Sequence, residues 1–316
     1  ATVQRWIDPS GNAGPGYRHY ASPVAGATVG SLATAGFAPV TNPAYNTSAA
    51  PNLVVPFPTV YSYDQGRLAT SPALGFAPFE RGWVAPTSLA DALTVGRGYT
   101  AHLPATARVA LTGPLHTGDY ALTLARSAGP LAAEAGWHFV GNPYPAPLDW
   151  SRVAPADRAG LDAAMYVYES TGPYTGQFRA YLNGVGGTSP LVGSSQGFWV
   201  RVSAGQATGT LTFRNSQRLT SFADQASFGR PVADARPLLH LRVRGAGAAD
   251  ETFLYAEAGA DGLFVPWVWA ARSSAAVEQM AASASGGATR GGRRSRSSTR
   301  GGAWSSTSNP NPAIVR

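Results

Sequence analysis

The chain has 316 residues, of which 44% are hydrophobic and 13% are charged, and it is long enough for one large or two ordinary domains with their own cores. Cysteine is absent, which excludes disulfide bonds, thiol catalysis and cysteine-ligated metals. The net charge of +7 is uneven, because residues 1–271 hold 17 Arg against 16 acidic residues, whereas residues 272–316 hold 7 Arg against Glu278 alone. We therefore expect no nucleic-acid partner for the nearly neutral body, and binding through the basic tail is the weakest alternative.

Glycine and proline interrupt the chain often, with 37 and 25 residues respectively. So many breakers exclude long helices and favour short strands joined by turns. The share of charged residues is about half of the usual one, which is common in extracellular β proteins. No run of about 18 apolar residues occurs, so we expect no membrane span.

The first part of the chain predicts short strands between irregular segments. Residues 1–15 form a polar, glycine-rich lead-in, and residues 26–58 form a long irregular excursion. A single helical turn is predicted over 88–93, where Thr87 or Ser88 can cap it. Aromatic and β-branched segments predict strands over residues 17–20, 60–63, 98–103, 108–112 and 120–124, the last three about ten residues apart as in sandwiches and barrels.

The stretch GWHFVGNPYPAPLDW at 136–150 predicts a core strand that turns sharply into a pinned corner. Aromatic and β-branched residues over 137–140 favour the strand. Gly141, Asn142 and Pro143 end it, because Gly and Asn tolerate positive φ and Pro removes a hydrogen-bond donor. One short helix is predicted after the corner, over 155–165.

Four pairs of segments recur in the same order and indicate an internal duplication. They predict an all-β, sandwich-like fold in which repeat A, residues 16–125, packs with repeat B, residues 136–225. The matched segments are GYRHYASPVAG at 16–26 with GWHFVGNPYPA at 136–146, YSY at 61–63 with YVY at 166–168, GRGY at 96–99 with SQGF at 195–198, and LTG at 111–113 with LTF at 211–213.

The C-terminal part of the chain contains two segments of different composition. Residues 236–271 predict a β-hairpin that begins a further, truncated β unit. Residues 273–316 are dominated by Arg, Ser and Gly, and such a segment buries too little apolar surface to offset its ordering entropy. A disordered basic tail is therefore predicted over 273–316.

The chemical motifs predict neither catalytic residues nor a cofactor or metal site. Residues 193–197 match G-x-S-x-G, but a strand follows where a nucleophile elbow requires a helix. The five His show no metal-ligand spacing. Asp149, Asp157 and Asp162 lie close in sequence and leave a glycoside-active site as an alternative. Aromatic residues in loop-like settings are the candidate ligand-binding residues, because exposed rings can stack on sugars: Trp6, Trp83, Tyr174 and Tyr181.

The segment GWHFVGNPYPAPLDW, with QGFWVRV at 196–202 and LLHLRV at 238–243, resembles a module of large secreted surface proteins from bacteria that use type IX secretion. The likeness covers about residues 16–260. It implies a β-rich, non-catalytic module near the C-terminus of a longer protein, upstream of a cleaved sorting domain. Residues 264–272 keep the family's spacing but lack its Asp residues.

Together these observations favour a non-enzymatic, extracellular or cell-surface structural and adhesion module of a secreted bacterial protein. The expected partners are a glycan or another surface polymer and other domains of the same parent protein. The alternative is a carbohydrate-binding module or a glycoside-active enzyme that uses the loop aromatics and Asp149.

Overall fold

The computed structural model describes residues 1–219, except residues 8, 10 and 130, together with the backbone of residues 238–245 and 248–255. Antiparallel strands are the main regular secondary structure of the described residues, which confirms the predicted all-β class. The strands of residues 1–219 are β1 Thr2–Arg5, β2 Pro15–Ala21, β3 Val60–Tyr63, β4 Trp83–Val84, β5 Gly98–Pro104, β6 Val109–Thr112, β7 Tyr120–Ala125, β8 Trp137–Gly141, β9 Leu148–Asp149, β10 Met165–Ser170, β11 Gly176–Leu182, β12 Val185–Gly186, β13 Leu191–Val192, β14 Gly197–Arg201 and β15 Thr208–Phe213.

Helical structure in the described residues is limited to single turns. Two α-helices have four residues each and were not predicted from the sequence: α1 Ala44–Thr47 and α2 Arg67–Thr70. The 3₁₀ turns are Val29–Leu32, Pro51–Leu53, Phe79–Gly82, Ala132–Glu134, Trp150–Arg152, Pro155–Arg158 and Asn215–Gln217.

A separate unit holds the C-terminal hairpin. Its strands β16 Leu238–Gly245 and β17 Ala248–Tyr255 pair antiparallel, at the place where the sequence predicts a hairpin. The remainder of the predicted 236–271 unit and the predicted disordered tail 273–316 lie outside the described residues.

One strand arrangement occurs twice within residues 1–219. The first sheet has the order β2-β5-β3-β4, and the second sheet has the order β8-β14-β10-β11-β12. A two-stranded sheet accompanies each, β1-β6 for the first and β7-β15 for the second. Each strand of the first arrangement has an equivalent in the second: β1 corresponds to β7, β2 to β8, β3 to β10, β4 to β11, β5 to β14 and β6 to β15.

The pairing registers of the two copies agree residue by residue. Ala21 lies opposite Gly98 as Gly141 lies opposite Gly197, so the first strand pair keeps the same register in both copies. The same holds for the next pair, in which Tyr61 faces Thr100 and Tyr166 faces Trp199. A shift of one residue would reverse every side chain between the two faces of a sheet. The shared register therefore supports an internal duplication.

Strand pairing corrects the predicted limits of the repeats. The predicted lead-in 1–15 contains β1, which pairs with β6, and β7 pairs with β15 although the prediction placed it in repeat A. The structural copies therefore run over about 2–112 and 120–213, and they are called repeat A and repeat B below.

Each repeat has its own apolar core. One core contains buried residues from Tyr20 to Leu111, and the other contains buried residues from Leu124 to Phe213. Side chains alternate between the faces of a strand, so Tyr20 points into the core of repeat A while its neighbour His19 contacts aromatic rings of repeat B. On β8, Val140 likewise points into the core of repeat B, and its neighbour Phe139 contacts His19 of repeat A.

Two predicted helical segments are different in the structure. The predicted helix 155–165 is only the 3₁₀ turn Pro155–Arg158, because Ala159 is extended and Gly160 follows in a left-handed conformation with φ of 72°. The predicted turn at 88–93 is not helical; the Asp91 carboxylate instead accepts hydrogen bonds from the backbone and hydroxyl of Thr87 and from the hydroxyl of Ser88.

Candidate functional site

A dense aromatic cluster joins the two repeats. The ring of Trp199 lies 4.8 Å from Tyr63 and 5.6 Å from Trp83, and His19 stacks on Tyr168 with ring centroids 4.9 Å apart. Phe139 stacks on Trp199 at 4.8 Å with an interplanar angle of 5°. Aromatic pairs of this kind add to the free energy of burying their surface, so the cluster fixes the two sheets against each other.

Reciprocal backbone hydrogen bonds complete this junction. The amide of Ala21 donates to the carbonyl of Ser195 at 3.0 Å, and the equivalent amide of Gly141 donates to the carbonyl of Gly96 at 2.9 Å. The adjacent β-bridges are equivalent too, because Tyr20 pairs with Gln196 and Val140 pairs with Arg97. An interface in which each partner contributes the same contacts is isologous, as in a twofold symmetric dimer. The chain contains such an interface within itself.

The corner predicted at Gly141-Asn142-Pro143 is pinned by the Asn142 side chain. Asn142 is completely buried, and its Nδ2 donates to the carbonyls of Ala146, Val192 and Gly193 at 2.9, 3.2 and 3.1 Å. Its Oδ1 accepts from the amide of Tyr144 at 3.0 Å. These bonds explain why an amide suits the position: its nitrogen carries two donor hydrogens and its oxygen accepts.

The four aromatic residues predicted to bind ligand do not share one environment. Trp6 and Tyr174 are exposed, at 62% and 41% of their surface. Trp83 is 1% exposed and Tyr181 is 8% exposed, so the expectation of exposure was wrong for both. Trp83 lies in the aromatic junction, and Tyr181 belongs to the core of repeat B because it is on β11 rather than in a loop.

Tyr174 forms an exposed aromatic pair with His102, a residue that sequence reasoning did not select. Their ring centroids are 5.1 Å apart with an interplanar angle of 10°. Tyr17 forms a T-shaped pair with His102, with ring centroids 5.0 Å apart. Because a carbonyl can only accept, Nε2 of His102 donates to the Pro173 carbonyl at 2.9 Å. Burial lowers the pKa of His102, which favours the neutral ring. No local sequence signal marks this contact, because it joins the two repeats.

The three aspartates of the alternative enzyme hypothesis lie in separate hydrogen-bond networks. Asp149 caps the 3₁₀ turn Trp150–Arg152 by accepting from Ser151, and it forms an ion pair with Arg152 at 3.2 Å. Asp157 accepts hydrogen bonds from Arg214 and Gln217. Asp162 accepts one from the hydroxyl of Ser203. Each carboxylate thus has a local structural role.

Ser195 of the G-x-S-x-G match is 1% exposed and has a positive φ of 55°. Its equivalent in repeat A, Gly96, has a φ of 78°, so this conformation belongs to the turn of both copies. Strand β14 follows Ser195, as the sequence indicated, and the strand–Ser–helix geometry of an elbow does not occur at this position.

Among the described residues, no group of three His, Asp or Glu side chains could hold a metal ion. Within the same part of the chain, no helix has the length and apolar character needed to cross a bilayer. No family model, curated protein or solved structure matches the chain.

Proposed function

We propose that the chain is a non-enzymatic structural and adhesion module of a secreted bacterial protein, located outside the cell or on its surface. The observation that carries this proposal is the isologous junction between the repeats. It unites the two repeats through buried aromatic rings and reciprocal backbone hydrogen bonds. A body of this kind holds surface loops in fixed positions, which suits a module that presents a contact surface or spaces other domains.

The resemblance of the GNPYP and QGFWV segments to surface proteins of bacteria with type IX secretion supports the extracellular location. The structure gives these segments a common physical role. Asn142 of the first bonds to the carbonyls of Val192 and Gly193, just before the second, and Phe139 stacks on Trp199 of the second. The resemblance therefore involves residues that build the junction.

A cell-adhesion assay with the full chain tests the proposal. Beads coated with the chain are expected to adhere to bacterial or host cells above the level of beads coated with an unrelated β protein. The alternative, a glycoside-active enzyme, requires turnover of chromogenic glycosides that disappears in the Asp149→Ala variant. Turnover lost with that variant, or an absence of adhesion, would overturn the proposal.

A further inference from the structure

We infer that Tyr174, supported by His102, is a stacking platform for a neutral polysaccharide. This inference rests on the proposed function and names the ligand class of the adhesive surface. The hairpin between β10 and β11 carries Tyr174 out of repeat B and lays its ring on His102 of repeat A. The rings are nearly parallel, and 41% of the Tyr174 surface remains exposed beside this contact.

The hairpin that carries Tyr174 is held in place at several points. The amides of Thr171 and Gly172 donate to the Thr175 carbonyl at 3.0 and 3.2 Å. Ser170 donates to the Gly172 carbonyl and accepts from Asn12, both through its hydroxyl. A ring that is already oriented loses little conformational entropy on binding. The structure thus presents a partly exposed aromatic ring in a fixed orientation.

The position of repeat B that is equivalent to His102 is buried. Arg201 corresponds to His102, since they lie opposite the equivalent residues Trp137 and Tyr17. Arg201 is 4% exposed and lies over the Trp137 ring at 5.0 Å, and Phe79 from the longer β3–β4 connection also contacts that ring. The exposed ring is therefore a particular feature of the β10–β11 hairpin and does not follow from the duplicated scaffold.

The composition of the hairpin indicates a neutral ligand. Residues 170–176 read STGPYTG and carry no charge, and Thr171, Pro173 and Thr175 around the ring are exposed. A sugar ring offers an apolar face of C–H groups to an aromatic ring and hydroxyls to the threonine side chains beside it. An acidic polymer would need an accessible cation at the contact surface. The hairpin provides none, and Arg18, whose charge acts on His102, is buried and donates to the carbonyls of Asn12 and Gly14.

Affinity gel electrophoresis of the full chain tests the platform with four neutral probes, namely β-1,3-glucan, xylan, mannan and hydroxyethyl cellulose, and with alginate as an acidic probe. We expect retardation by at least one neutral polymer and at least a tenfold weaker affinity for Tyr174→Ala. Tyr174→Trp is expected to keep binding, and His102→Ala is expected to weaken it. Leu74→Ala is the control, because Leu74 is an exposed apolar residue outside the hairpin.

The outcomes separate this inference from the proposed function. Equal affinities for the wild type and Tyr174→Ala, preference for alginate, or no retardation by any neutral polymer would overturn the platform. If the chain still adheres to cells in those cases, the proposed function stands without it. If the chain neither binds polymers nor adheres, both are wrong. Thermal unfolding of each variant shows that any lost binding is local, since exposed substitutions change stability little.

Discussion

Replacing Asn142 by alanine removes the side chain that pins the corner after β8. The substitution leaves the Tyr144 amide without its acceptor and deprives the carbonyls of Ala146, Val192 and Gly193 of a donor. An unsatisfied buried group costs about 1–3 kcal/mol, and each of the two Nδ2 hydrogens, shared among the three carbonyls, contributes about 1 kcal/mol. We expect the free energy of unfolding to fall by about 3–5 kcal/mol, because each carbonyl retains some capacity to bond elsewhere.

The duplication supplies a matched control for this variant. Ser22 occupies the equivalent corner of repeat A and makes fewer contacts, with its hydroxyl donating to the Val24 carbonyl at 2.7 Å and accepting from the Val24 amide at 3.3 Å. Ser22→Ala should therefore cost less, about 1–2 kcal/mol, because it removes one donated bond and one long accepted bond.

Urea unfolding of the full chain, followed by tryptophan fluorescence, measures both losses. In calorimetry, the loss for Asn142→Ala corresponds to a decrease in Tm of roughly 6–20 °C for a body of this size. A loss below about 1 kcal/mol, or one equal to that of Ser22→Ala, would refute the reasoning that the four hydrogen bonds hold the corner.

Two further predictions concern the junction. A Cβ on Gly141 would lie 2.2 Å from the Cβ of Ala21 and 2.9 Å from the Arg97 carbonyl oxygen. Gly141→Ala should therefore destabilise the fold by about 1–3 kcal/mol. In a double-mutant cycle, adding Ala21→Gly should recover part of that loss. Gly75→Ala, with open space around its Cβ, is the control; purely additive effects would contradict the contact. Burial, with a smaller contribution from the charge of Arg5, lowers the pKa of His19 to about 3. Between about pH 6.5 and pH 3 the unfolded chain therefore binds a proton at His19 that the folded chain does not. The free energy of unfolding should fall as the pH decreases through that window. Urea unfolding at pH 7 and pH 4 should show a smaller decrease for His19→Phe than for the wild type, and equal decreases would exclude this role.

Several strands of the two sheets could be predicted because their signals are local, whereas β4 and β11 read as loops in the sequence. Aromatic and β-branched runs bounded by Gly and Pro mark β2, β3, β5 and β8, and the recurrence of these runs indicated the duplication. Strand β1 was missed because TVQR reads as part of a polar lead-in and pairs with β6, about a hundred residues later in the chain. Pairing over such a distance leaves no local pattern, so the limits of the repeats had to come from the structure.

The exposure of individual aromatic residues could not be predicted, for a reason that the duplication makes clear. Equivalent strands place rings at equivalent positions, but the connections between the strands decide whether a ring is covered. The β3–β4 connection of repeat A is long and brings Phe79 onto Trp137, whereas the β10–β11 hairpin of repeat B is short and leaves Tyr174 exposed. Trp83 looked like a loop residue and is buried, because the face of the sheet that it occupies meets the other repeat. Sequence patterns report which face of a strand is apolar, but they do not report what packs on it. A candidate binding surface in a duplicated β protein is therefore best sought where the two copies differ in their connections, and Tyr174 is at such a place.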